Sequence, residues 1–213
     1  MKKKLTLLSA SLFLLVSAPL IQAAPASAAP SVYFDFNGDT LADTTLNITP
    51  GSLFTADIYA SDFVDMLGGA HGGLLGYGLN VSFDSLLATA NSAAIAPPWN
   101  IPTANNVAPG NVSLGALNFD FMNPGGLATT PPLKLASISF TNLGAGSFIL
   151  DLADLNPLDT DFGAFDGFDF DGLTTFQDAQ VTAAVPLPGT VWLLGAGLAG
   201  IAGLRKKRRE ARG

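Results

Sequence analysis

From residue 31 onward the chain carries short stretches in which apolar and polar side chains alternate. A period of two is the signature of a strand with one buried face. Tyr77, Leu79, Val81 and Phe83 fall on one side of 77–84, with Gly78, Asn80, Ser82 and Asp84 on the other. Alternation, whole or partial, also marks 32–36, 54–59, 112–114, 135–140, 147–152 and 180–183. Turn residues separate these stretches: Asn37-Gly38, Thr49-Pro50-Gly51, Pro109-Gly110, Pro124-Gly125-Gly126 and Gly144-Ala145-Gly146. Helical periodicity is scarce, and a short helical turn is expected only at 85–90. Many short strands at this spacing predict an all-β domain, an antiparallel two-sheet sandwich over 29–184.

Two stretches break the pattern. The first is Met1-Lys2-Lys3-Lys4, an apolar run at 5–21, and then small residues ending in Ala26-Ser27-Ala28. Basic, apolar and small residues in that order predict a secretory signal peptide over 1–28, handled by the Sec translocon and removed by signal peptidase. The second is 185–213. Val185-Pro186-Leu187-Pro188-Gly189 opens twenty residues without a charge, followed by Arg205-Lys206-Lys207-Arg208-Arg209. Twenty residues of helix rise about 30 Å, the thickness of the hydrocarbon core. Pro is tolerated in a first helical turn, and Trp192 falls where an indole favours the interface. The reading is a transmembrane helix at about 190–204 with a basic stop-transfer tail at 205–213. Gly195, Ala199 and Gly203 have the spacing of a helix-pairing face, though small residues also simply weaken a span.

Charge sharpens this division. Nine of the ten basic residues lie in the first four or last nine positions. The middle, 29–184, holds sixteen Asp against Lys134, a formal charge of −15. Such a domain repels phosphate backbones, which excludes nucleic acid as a partner. The absence of Cys excludes disulfides, thiolate catalysis and Cys-ligated metals. The single His71 sits in a Gly-rich stretch, no Gly-x-Ser-x-Gly occurs, and nothing in the sequence selects a pair of Asp for glycoside hydrolysis. The domain therefore reads as non-catalytic.

The acidic residues leave one chemical candidate, calcium, the only cofactor the sequence suggests. Asp35-Phe36-Asn37-Gly38-Asp39 with Asp43 resembles the first half of an oxygen-ligand loop, but Thr40 and Leu46 stand where such a loop needs Gly and Glu. The second acidic region is denser: Asp151 and Asp154 precede Asp159, Asp161, Asp166, Asp169 and Asp171, and these last five interleave with Phe and Gly. They are the candidate calcium ligands; the competing reading is a solvated acidic loop. Trp99, in the Pro-rich stretch Pro97-Pro98-Trp99-Asn100, is the candidate sugar-binding aromatic. The strand tyrosines Tyr33, Tyr59 and Tyr77 are expected in the core.

The tail closely resembles the PEP-CTERM sorting signal of Gram-negative bacteria: a short Pro-containing motif, a membrane helix and an Arg-rich end. Residues 185–189, Trp192-Leu193-Leu194-Gly195 and the basic run from Arg205 carry the resemblance. The common motif has Glu between the two prolines; here Leu187 makes the VPLP variant. The resemblance implies recognition and cutting by an exosortase-type enzyme, inner-membrane anchoring before processing, and delivery to the cell surface or exterior. It also implies an exopolysaccharide or biofilm setting. The middle is similar to the cohesin-like fold, a nine-strand jelly roll. The resemblance is carried by the Pro50-Gly51 turn, the strand at 54–59, Val81-Ser82-Phe83-Asp84-Ser85-Leu86-Leu87 and the late pair at 135–140 and 146–152. The expected function is an exported, non-catalytic surface or matrix protein, adhesive or exopolysaccharide-associated, with polysaccharide or another surface protein as partner. A carbohydrate-binding module and a polysaccharide-active hydrolase are the alternatives.

Overall fold

Alternation becomes sheet wherever a neighbouring strand covers the apolar side. The computed structural model describes residues 28–63, 73–119, 125–156, 160–164, 166–184 and 193–199. In chain order the strands are β1 (Ser31–Asp35), β2 (Thr45–Ile48), β3 (Leu53–Ser61), β4 (Leu74–Ser82), β5 (Ala88–Ile95), β6 (Ile101–Ala108), β7 (Asn111–Leu117), β8 (Leu133–Asn142), β9 (Gly146–Asp154), β10 (Gly163–Ala164), β11 (Thr175–Phe176) and β12 (Ala179–Ala183). One sheet has the order β11-β1-β3-β8-β5. The other, seven-stranded, has the order β2-β12-β9-β4-β7-β6, with β10 also paired to β4.

Val32, Phe34, Ile58, Ile138 and Phe140 from the first sheet meet Leu79, Val81, Val112, Leu114, Leu150 and Val181 from the second, all fully buried. Burying each such side chain stabilises the fold by about 1.5–3 kcal/mol. Phe140 stacks on Phe54 at 5.1 Å and takes Phe83 edge-on at 5.2 Å. Those geometries suit the ring quadrupoles.

Every strand expected from the sequence is present, but the sheets are mixed rather than purely antiparallel. β1 pairs with β11, and β12 with β2, in parallel. The reason is connectivity: β2 and β11 are each reached by crossing from the opposite sheet, and a crossing delivers a strand in either sense, unlike a hairpin. β2, β5, β6 and the two-residue β10 and β11 were not expected. β2, β5, β6 and β11 are edge strands, and β5 and β6 are, apart from Ile95, Ile101 and Val107, built of Ala, Asn, Ser, Thr and Pro with many side chains exposed. Edges tolerate low β-propensity because little packing depends on them. β5 begins at Ala88, so the helical turn expected at 85–90 is only a turn, in which Asp84 O accepts the N–H groups of Leu87 and Ala88.

Residues 1–27, 185–192 and 200–213 lie outside the described residues, as therefore do the expected signal peptide and most of the expected span. Residues 193–199 are helical. Among the described residues no helix is long and apolar enough to cross a membrane.

The end of the sandwich where β12 leaves is tied together by one side chain. Asn142 is fully buried; its Oδ1 accepts Gly51 N–H at 3.2 Å and its Nδ2 donates to Leu87 O at 3.0 Å. Its own N–H donates to Ser52 O at 2.9 Å. Asn142→Ala removes the acceptor of a turn N–H and one donor to Leu87 O. The expected cost is about 1–3 kcal/mol in urea unfolding. A loss under about 0.5 kcal/mol, the level of an ordinary surface change, would show that the turns hold themselves.

Candidate functional site: the outer face of the seven-stranded sheet

The side chains opposite the buried set form the outer face of the seven-stranded sheet. β4 presents Asn80 and Ser82, β7 presents Asn111 and Ser113, and β9 presents Ser147, Ile149 and Asp151. These polar groups are knitted laterally. Ser113 Oγ lies 2.7 Å from Asn80 Oδ1 and 3.1 Å from Asn111 Oδ1. Gln180 Nε2 donates to Ser147 Oγ at 3.1 Å, and Ser147 Oγ lies 2.8 Å from Thr182 Oγ1. Ile149 stands among them 56% exposed. Gly78 and Gly115 face each other across β4 and β7. A Cβ at Gly78 would fall 2.6–2.8 Å from the Asp161 carboxylate, and one at Gly115 would fall 2.6 Å from Thr103 Oγ1. Glycine lets both side chains lie directly on the sheet.

Asp161 belongs to the acidic stretch, whose Phe–Asp alternation has a structural purpose. Phe162 and Phe170 are buried and surround Phe63, with centroids 5.4 and 5.5 Å away. Phe176 and Phe168 extend the group, meeting Phe162 at 5.7 Å and Phe170 at 5.0 Å. The rings close the core at the end opposite Asn142, while the aspartates hold the backbone of the plug. Asp171 accepts the N–H groups of Asp161 and Phe162 at 3.0 and 2.6 Å. Asp161 Oδ2 and Asp154 Oδ1 both accept Asn156 N–H, at 2.8 and 3.1 Å. Asp169 accepts Asp171 N–H at 2.9 Å, and Asp166 accepts Phe168 N–H at 3.1 Å.

The predicted acidic set is thus only partly assembled. Asp154 feels the charges of Asp161 and Asp169, and Asp171 those of Asp154 and Asp169; Asp166 caps the turn at Phe168, and Asp159 lies outside the described residues. Asp154, inside the acidic region the sequence marks but outside the five candidate ligands, is the most perturbed member. Burial raises its pKa, and so do a hydrogen bond with the Asp161 side chain and the charges of Asp161 and Asp169. The Asn156 N–H opposes, and the result is about 6. Burial and the charges of Asp154 and Asp169 also raise Asp171, against its two N–H bonds. The signal for Asp154 was its membership of the dense acidic region, and the structure adds that it is the last residue of β9. Among the described residues no group of three or more His, Asp or Glu is arranged to hold a metal ion.

The other candidates fall elsewhere. Asp35 is buried and folds its loop inward: its carboxylate accepts Asn37, Gly38 and Thr40 N–H at 2.7–2.9 Å. Burial disfavours its charge, but these bonds outweigh it and lower the pKa. Trp99 is buried, edge-on to Tyr77 at 4.8 Å, and donates Nε1–H to Lys134 O at 3.2 Å. It packs in the core, so its ring offers no open face for a sugar. Tyr77 is core as expected. Tyr33 is buried too, as expected, whereas Tyr59 is only half-buried and stacks on it at 6.2 Å on the outer face of the five-stranded sheet. Tyr33 OH donates to Thr40 O there, and Lys134 and Asp57 pair at 2.6 Å. His71 and the sorting residues 185–189 and 205–209 lie outside the described residues.

Residues 184–209 match the family model of the PEP-CTERM protein-sorting motif. The chain carries that motif, and the motif implies an exported protein. No curated protein matches the chain. Among solved structures, CaCohA2 from Clostridium acetobutylicum is similar at 12% identity and a TM-score of 0.51, over 76% of this chain and 97% of that one. The sixth cohesin of scaffoldin B from Acetivibrio cellulolyticus, solved in complex with a mutant Cel5 dockerin, is similar at 15% identity and a TM-score of 0.51, over 73% and 97%. At these identities the likeness is one of fold, and the domain is a cohesin-like sandwich.

Burial of Asp154, reinforced by its contact with Asp161, makes stability depend on pH. With its folded pKa raised from 3.8 to about 6, Asp154 binds its proton more tightly in the folded chain than in the unfolded one. Folding therefore loses stability as pH rises through that window. Lowering the pH from about 7 to about 5 is expected to raise the melting midpoint. Asp35, shifted the other way, acts only below the window. Asp154→Asn keeps the donor to Asp161, so it is expected to raise the neutral-pH midpoint and flatten the slope. An unchanged slope in that variant would assign the pH response to other carboxylates.

Proposed function

We propose that the chain is an exported, surface-delivered, non-catalytic binding module. It is held at the inner membrane by its C-terminal segment until an exosortase-type enzyme cuts near Pro188, and it then engages a partner protein through the outer face of the seven-stranded sheet. The observation that carries this reading is the character of that face. It is broad, its Asn, Ser, Thr and Gln side chains are held by one another, and the exposed aliphatic residue Ile149 stands among them, with Ile101 exposed at the β6 edge. Side chains already held in place lose little entropy when a partner docks, and an apolar anchor ringed by polar groups suits a protein surface. The cohesin of known structure was solved with a dockerin, a precedent for protein recognition by this fold. Two observations weigh against hydrolysis. Asp154 and Asp161 are in direct hydrogen-bond contact, closer than the about 5 Å or more that separates the carboxyl pair of a glycosidase. Their neighbours are backbone N–H groups of the plug.

A second reading, exopolysaccharide binding, is favoured by the half-buried Tyr59, which backs onto the buried Tyr33 and stands beside Asp57 and Lys134 on the other sheet. Calcium at the acidic plug remains part of the proposal only as a ligand to be tested. Millimolar calcium raises the melting midpoint if the cluster binds it, and no shift removes it.

One experiment separates the readings. A photoactivatable phenylalanine replaces Ile149 or Tyr59 in the host cell, and the crosslinked products are analysed. Position 149 is expected to capture a surface protein. Capture of polysaccharide from position 59 alone would favour the second reading, and capture from neither face would sink the binding role. Mass spectrometry of the C-terminus from the same cells is expected to find chains ending near Pro188. An intact tail on a soluble cytosolic chain would overturn the export reading.

A further inference from the structure

The two ends of the sandwich differ in a way that the sorting motif makes consequential. β12 ends with Ala183 opposite Gly146 and Ile48, and Ala184 N–H still donates to Ile48 O at 3.3 Å. Between that last sheet contact and the expected span at 190–204 lie only residues 185–189. Five residues reach at most about 18 Å when fully extended. Before processing, this end of the domain is therefore held beside the membrane surface.

The same end gathers the turns at 49–52, 84–87, 109–110 and 143–145. Asn142 joins the first, second and fourth, Leu143 N–H donates to Leu87 O, and Phe83 N–H donates to Gly110 O. On or beside these turns stand Leu53, Leu86 and Leu143, respectively 71%, 83% and 53% exposed. Asp84 is the one charged residue in the four turns, and its carboxylate accepts Leu86 N–H at 2.8 Å. The opposite end carries Asp62 after β3 and the group Asp154, Asp161, Asp169 and Asp171.

We infer that the Leu53, Leu86 and Leu143 end is a lipid-contacting surface, which seats the unprocessed domain upright in the headgroup region of the membrane that holds its own C-terminal segment. This rests on the reading of 190–204 as a span. Three exposed leucines on neighbouring turns, with almost no charge among them, are what an interfacial anchor needs. The tether supplies a high effective concentration, so weak apolar contacts suffice. Electrostatics acts in the same sense. Anionic headgroups repel the carboxylate end and turn it outward, while the nearly uncharged end meets no such penalty. The seating leaves both sheet faces upright and open while the tail is intact. It also places the 185–189 motif at the membrane surface, where a membrane-embedded processing enzyme works.

The chain has no Cys, so single labels carry no background. Leu86→Cys, Leu143→Cys and, at the far end, Asp166→Cys each receive an NBD fluorophore in the full-length chain. The chain is reconstituted into phosphatidylethanolamine–phosphatidylglycerol vesicles that contain a lipid spin-labelled near the headgroup. Labels at 86 and 143 are expected to be blue-shifted and quenched several-fold more than the label at 166. Leu53→Ser with Leu143→Ser is expected to abolish the excess quenching at 86 while circular dichroism stays unchanged. Equal quenching at both ends, in chains that still float with vesicles after an alkaline wash, would overturn the seating and leave the span intact. Chains that no longer float would remove the span and the seating with it. Unquenched labels that crosslink between neighbouring chains would assign the leucine surface to a second copy and likewise overturn the inference.

Discussion

Two sheets packed face to face bury one side of every strand but leave the core open at both ends, and each end has to be closed without exposing backbone polar groups to a dry interior. This chain has no cysteine with which to staple its turns. It closes one end with the ring group Phe63, Phe162 and Phe170, whose backbone is held by Asp171 and Asp161. It closes the other with Asn142, one buried amide that holds turns from distant parts of the chain. Both solutions avoid unsatisfied groups: among the described residues no buried side-chain nitrogen or oxygen lacks a partner.

These two closures set the polarity of the whole domain. Carboxylates used as backbone acceptors concentrate charge at the plugged end, where burial, helped by crowding, raises the pKa of Asp154 and Asp171. The amide closure needs no charge, so the end from which the chain departs for its sorting motif stays nearly neutral and carries exposed leucines. Between the ends, the glycine pair Gly78–Gly115 lets Asp161 and Thr103 rest on the seven-stranded sheet, so the plug reaches onto the face proposed for partner binding. Closure of the core, electrostatics and recognition are therefore parts of one arrangement. A change at the plug is felt at the sheet face because Asp161 belongs to both.

What the sequence by itself determined is whatever local chemistry dictates. A basic–apolar–small head and an apolar–basic tail are patterns of composition legible without any fold, and the sorting motif at 184–209 matches as a linear string. Period-two alternation marked the well-packed strands such as β4 and β8, because each buried face demands an apolar residue at every second position. Pro-Gly and Gly-rich turns were equally legible, because only such residues relieve the steric limits there.

What only the tertiary structure decided is everything that depends on residues far apart in the chain. The edge strands β5 and β6 are made of weak strand formers that a neighbour's backbone holds in place, so no local signal marked them. The Phe–Asp stretch looked equally like a cation site or a solvated loop. Its role depends on Phe63, about a hundred residues earlier, being ready to receive the rings. Trp99 and Tyr59 exchanged their expected places for the same reason, since the sequence shows an aromatic ring but not which side of a sheet covers it. Charge crowding at Asp154 likewise arises only when the end of β9 and the plug come together in space.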